Sequence, residues 1–237
     1  MHATPDRDPR DPHHDRLAAA LLVIGAAGVI VTSAFYVLSG PVASLPGGAA
    51  GGMEAARAAT AHAAGTMRAA SLFGMPSDVV FTVGGLMFAA SKRRQGAALA
   101  YAGWLAMGIS GILFTIVDAM VGHVLPAAAA AGDAAYVGAR SLFDVLFAIG
   151  GWAFGVGALA ASWSAQSREY RWRAAAWLMR VSGVLGIVAN TGWLLGLPGA
   201  PLIGPAIALG ATAVLVMAAS IARDPEARVA PATPRPA

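Results

Sequence analysis

The chain has 237 residues, 57% of them hydrophobic and only 12% charged; a soluble domain carries about twice that charge. It contains no cysteine, which excludes disulfides, thiolate metal centres and a cysteine nucleophile. The net charge of +4 would suit nucleic acid. However, the cations sit in short segments beside long apolar runs, where they set membrane orientation and touch anionic headgroups, so no nucleic-acid partner is expected.

Residues 1–16 mix Pro, Asp and Arg without an apolar face and read as a disordered tail, with His13 and His14 solvated. Residues 17–38, LAAALLVIGAAGVIVTSAFYVL, carry no charge and are enough helix to cross a bilayer core of about 30 Å. The run is too long for the apolar region of a signal peptide, so a retained span is expected. Further spans are predicted over 78–91, 97–125, 141–163, 174–197 and 202–222. The second starts nearer Leu72, with a break or kink at Gly74 and Pro76. The sixth opens through Pro201 and Pro205, where proline is tolerated.

Between the first two spans, residues 40–75 begin rich in Gly and Pro and continue as MEAARAATAHAAGTMRAASLF. This pattern predicts a helix lying on the outer membrane surface, and the Ala-rich segment 126–140 reads the same way. The Pro-rich residues 224–237 read as a second disordered tail. The fold class is therefore all-α: a polytopic bundle of six transmembrane helices over 17–223, flanked by two tails.

Orientation follows from the cations. Arg7, Arg10 and Arg16, Lys92 to Arg94, Arg168, Arg171 and Arg173, and Arg223, Arg228 and Arg235 fall on one side. Only Arg57, Arg68 and Arg140 fall on the other. The positive-inside rule puts both termini in the cytoplasm of a multi-pass protein of the bacterial cytoplasmic membrane, with lipids as its surroundings.

The chain also repeats itself. DVVFTVGGLMF from Asp78 matches DVLFAIGGWAF from Asp144 at six of eleven positions, and SLF precedes both. MGISGILFTIVD from Met107 matches MRVSGVLGIVAN from Met179, which sets Asp118 opposite Asn190. Residues 25–32 fit the same pattern more weakly. The reading is three tandem helical hairpins of one orientation around an axis along the membrane normal. The doublets Gly84-Gly85 and Gly150-Gly151 and the pairs Gly151/Gly155 and Gly192/Gly196 supply close helix packing within the bundle.

Ionisable groups inside a bilayer are costly and are default candidates for function. Asp118 lies inside the third span, late in the helix, where the dipole disfavours an anion. His123 follows five residues later on another face. Asp78 and Asp144 fall at the expected outer starts of their helices, where an Asp makes a good N-cap. With Asn190, these residues outline an outer-side polar vestibule able to bind a cation, a proton or an amine-bearing solute. Arg180 is expected to reach toward headgroups.

Gly108-Ile109-Ser110-Gly111 has the GxSG pattern of rhomboid proteases, but no histidine lies within reach to act as base. The matching Ser182-Gly183 points to packing instead. No spacing calls for a metal, a haem or a nucleotide, so no cofactor is expected.

Three stretches carry a likeness: LSGP at 38–41, FGVGALAASWSAQS from Phe154, and WLMRVSGVLGI from Trp177. In these the chain resembles a large bacterial family of six-to-seven-helix integral membrane proteins, defined only as a domain of unknown function. Ala175-Ala176 replaces the Ile-Pro step usual in that family before Trp177-Leu178. The resemblance implies a fold and no activity. Beside an intramembrane enzyme, which needs a base near Ser110 or a metal held by His123 that the sequence does not clearly supply, two roles remain open: a carrier or binding protein for a small solute, ion or lipid, or a non-catalytic subunit packed against a membrane-protein partner. A central cavity separates them, because the first needs one and the second does not.

Overall fold

The computed structural model describes residues 12–46, 51–163, 170–195 and 200–223. It is built from helices alone among the described residues: α1 (Pro12–Ser39), α2 (Pro41–Ser44), α3 (Met53–Arg94), α4 (Ala98–Ala119), α5 (Leu125–Ala131), α6 (Asp133–Trp163), α7 (Tyr170–Leu194) and α8 (Ile203–Arg223). A π-helical turn, Met120–Val124, joins α4 to α5, and a 3-10 turn, Ala200–Leu202, precedes α8.

Among the described residues, six helical stretches are long and apolar enough to cross a membrane, with mean hydropathy from 1.3 to 2.3. This is the build of a multi-pass integral membrane protein. The expected tails at 1–11 and 224–237, and the end of the fifth span at 196–197, lie outside the described residues. Residues 12–16 of the expected tail belong to α1 instead.

The outer segments correct the sequence reading. The surface helix expected within 40–75 is the first half of α3, which runs through Gly74 and Pro76 without a break. Its 42 residues are about 63 Å long at 1.5 Å per residue, roughly twice the hydrocarbon core. The reason is a single buried stripe. Ala56, Thr60, Ala63, Met67, Ala70, Gly74, Asp78, Phe81, Gly85 and Phe88 are all buried, at spacings of three and four that keep one face toward the bundle. Pro76 removes one backbone hydrogen bond. Beside it, the Ser77 hydroxyl donates to the Phe73 carbonyl at 2.6 Å.

The second expected surface helix, 126–140, divides between α5 and α6. These meet at Gly132, whose φ of 121° is open to glycine and strained for other residues. Gly96, with φ 69°, ends α3 in the same way. The Ala97 amide beyond it bonds back to the Lys92 carbonyl at 3.0 Å, the usual glycine close of a helix.

The six long helices form a closed ring in chain order. Helix α1 packs on α3, α3 on α4, α4 on α6, α6 on α7 and α7 on α8, and α8 returns to α1. The three hairpins α1/α3, α4/α6 and α7/α8 follow one another around it. The glycine doublets explain the tight seams. Gly84 faces α1, where a Cβ would sit 3.0 Å from the Ala18 carbonyl, and Gly85 faces Gly108 of α4. Gly150 faces Leu113 and Phe114 of α4, and Gly151 faces Asn190 of α7. In both repeats, therefore, the first glycine meets the preceding helix and the second meets the following one. Backbones this close attract one another by dispersion, and lipid tails cannot take their place in the seam.

The repeated Ser-Gly steps also serve packing. Ser110 donates to the Gly150 carbonyl at 2.8 Å, and Ser182 donates to the Ala206 carbonyl at 2.6 Å. Each hydroxyl crosses from an odd-numbered span of the ring to the next helix in its own hairpin. Two hydrophobic clusters lie along the ring. One, around Phe88, Trp104, Met107, Met179 and Met217, sits toward the end carrying Lys92 to Arg94. The other, around Met67, Val121, Leu125, Tyr136 and Phe143, fills the opposite end. Arg180 lies 5.3 Å from the ring of Trp163 and 5.5 Å from that of Trp177, between the two indoles.

Candidate functional site

The ring encloses a cavity of about 110 Å³, and every one of the six spans contributes to its wall. Thr32 of α1, Asp78 of α3, Asp118 of α4, Gly151 of α6, Asn190 of α7 and Ile207 of α8 all face it. Three of the five residues singled out from sequence are therefore brought together: Asp78, Asp118 and Asn190. They are 6%, 3% and 3% exposed, so their polar groups are held inside the ring.

Asp118 is the centre of the cluster. Its carboxylate accepts a hydrogen bond from the Tyr36 hydroxyl of α1 and lies within hydrogen-bond reach of the Asp78 carboxyl of α3. Two carboxyl groups set side by side repel one another as anions, and a proton between them relieves that repulsion. The contact between α1 and α4 depends on Gly74 of the intervening α3. A Cβ built there would overlap the Asp118 carboxylate and sit 3.0 Å from the Thr32 methyl. Asp118 also comes just before the π-helical turn at Met120–Val124, a feature that recurs at functional sites.

The capping role expected of Asp78 and Asp144 does not hold. Helix α3 begins at Met53 and α6 at Asp133, so both acids lie well inside their helices. Asp144 is not part of the cavity wall. It pairs with Arg140 one turn earlier, Nε to Oδ1 at 3.3 Å. Arg140 is fully buried and donates to the carbonyls of Val42 at 3.1 Å, Ala43 at 2.8 Å and Leu45. It thus ties α6 to the short segment after α1. A buried arginine with a carboxylate and three carbonyls is satisfied at most of its donors. His123 is exposed on the π-helical turn and stands apart from the cluster.

Asn190 donates Nδ2 to the Gly186 carbonyl at 2.7 Å, while its Oδ1 is buried without a hydrogen-bond partner. The Thr32 hydroxyl is in the same position. Sequence reasoning missed Tyr36, Thr32, Gly74 and the clamp by Arg140. The one available signal was the three-and-four spacing of small and apolar residues from Ala56 through Gly74, which favours a helix continuing where a break was expected.

The fold and the site define a polytopic membrane protein that is all-helical among the described residues, where six spans close around a central cavity holding two carboxyl groups. No family model, no curated protein and no solved structure matches the chain, so its function has to be argued from the site.

Proposed function

We propose that this protein binds a small solute in the central cavity and carries it across, or presents it at, the bacterial cytoplasmic membrane. Both termini lie in the cytoplasm in this reading, and the Asp78–Asp118–Asn190 end of the cavity faces outward. The observation that carries it is the cavity itself, walled by all six spans and holding buried polar atoms without partners. A scaffold packed against another membrane protein calls for a filled bundle. Leaving a buried polar group unsatisfied costs about 1–3 kcal/mol, and a binding role gives a reason to retain two of them. The distribution of Lys and Arg supports the orientation.

Because the chain has no cysteine, single substitutions are clean probes. Ser182→Cys in the cavity wall should react with a small membrane-impermeant thiol reagent in spheroplasts or inverted vesicles. Val83→Cys, on the outer surface of the ring at 44% exposure, should stay unlabelled in the membrane. An exposed position on the outer end, Ala127→Cys, reports reagent access. If Ala127→Cys reacts and the cavity cysteine stays silent from both sides, the binding reading fails.

A further inference from the structure

We infer that the ligand of this cavity is a small primary ammonium ion with a short apolar tail. The inference rests on the reading that the cavity is a binding site, and it goes further by assigning the chemical class. The polar atoms of the wall are strongly one-sided. Asp78 and Asp118 bring two carboxyl groups to the wall, and Asn190 Oδ1 is a buried acceptor without a partner.

The donors of the wall are already engaged. Tyr36 gives its proton to Asp118, Ser110 and Ser182 give theirs to backbone carbonyls, and the Asn190 amide gives one to Gly186. The Thr32 hydroxyl is the exception, buried and unpartnered, and a hydroxyl accepts as readily as it donates. No Lys, Arg or His belongs to the wall. A molecule that completes this set must bring positive charge and several N–H donors. A primary ammonium brings three donors and one charge.

The rest of the wall decides against a bare metal cation. Phe81, Phe114, Phe147 and Phe154 line it, together with Ile203 and Ile207. Sodium or potassium binds through oxygen ligands alone and would leave these rings and aliphatic side chains without a partner. Aromatic faces accept an organic cation and bury its tail. Size narrows the class further. An apolar cavity near 150 Å³ holds the six carbons of benzene, so about 110 Å³ suits roughly four to five heavy atoms, the ammonium nitrogen among them. A quaternary ammonium has no N–H to offer Asn190 or Thr32 and fits the charge alone.

The test is thermal melting of the purified full chain in detergent at neutral pH and matched ionic strength. The probes are n-butylamine (charged at that pH), n-butanol, tetramethylammonium chloride and sodium chloride. The expected result is a saturable rise in melting temperature with n-butylamine only. Asp118→Asn and Asn190→Leu should each weaken the apparent affinity by about tenfold or more. Asn190→Leu keeps the assay informative if Asp118→Asn does not fold.

An equal rise with n-butanol, or the same rise with sodium or tetramethylammonium, overturns the ammonium assignment and leaves a binding cavity of another class. No rise with any probe also overturns it. In that case labelling of Ser182→Cys decides the broader reading: a reactive cysteine keeps the cavity as a site, and an unreactive one removes both claims.

Discussion

Asp78 and Asp144 hold the same place in two copies of one sequence motif, yet they keep opposite company. Four residues before Asp144 stands Arg140, which neutralises it and anchors the segment after α1. Four residues before Asp78 stands Gly74, whose missing side chain admits Asp118. One copy is thereby closed as a charge-balanced clamp, and the other is left acidic beside a cavity. The opposing positions differ in the same sense. Helix α4 carries Asp118, and its counterpart on α7 is the uncharged Asn190. Repetition supplied a symmetric ring, and divergence at two positions, Gly74/Arg140 and Asp118/Asn190, created a single polar centre within it.

The sharpest way to break this comparison is Arg140→Met. It takes the arginine away from Asp144 and from three buried carbonyls, and breaking a buried pair from one side costs about 3–5 kcal/mol. We expect a loss of that order in equilibrium unfolding in mixed micelles, and a loss below 1 kcal/mol would refute the clamp. Next is the contrast between Asp144→Asn and Asp78→Asn. The first removes a charge from an arginine partner and should cost about 1.5–3 kcal/mol. The second removes one of two like groups and should cost less or stabilise. Equal losses in the two variants would mean that the copies are not electrostatically distinct.

Gly74→Ala comes third, with an expected cost of about 1–3 kcal/mol from overpacking against Asp118. Combining it with Asp118→Ala should recover much of the loss, and strict additivity would show that the two sites do not meet. The smallest effect tests what the copies share. Ser110→Ala and Ser182→Ala each delete one hydroxyl-to-carbonyl bond across a hairpin and should cost similar amounts, about 0.5–1.5 kcal/mol. A large disparity between them would argue that the repeat ends at the level of sequence.

The span count and the glycine doublets were legible in the chain, because apolar length and small-residue spacing are local signals. So was the equivalence of Asp118 and Asn190, which the repeat made visible and both of which line the cavity. The ends of the helices were not. Pro76 and the preceding Gly74 suggested a break, while the buried stripe from Ala56 to Phe88 continues through both, and packing along the whole stripe outweighs one lost backbone bond. That misplaced start made Asp78 and Asp144 look like caps. Tyr36 and Arg140 were invisible as partners for another reason. Tyr36 reaches a helix that does not neighbour its own in the ring, and Arg140 reaches carbonyls nearly a hundred residues away. His123 looked close to Asp118 in sequence, but it points outward.

The length of α3 carries a mechanical consequence. The same rigid rod begins among the basic residues at Arg94, bears Asp78 partway along, and ends in the packing of the far end around Met67 and Ala56. Over roughly 63 Å, pivoting by about 5° at the basic end would sweep Met53 through about 5 Å. Any such swing shifts the carboxyl group in the same stroke, so the far end of the molecule and the acidic centre are geared to each other by a single lever.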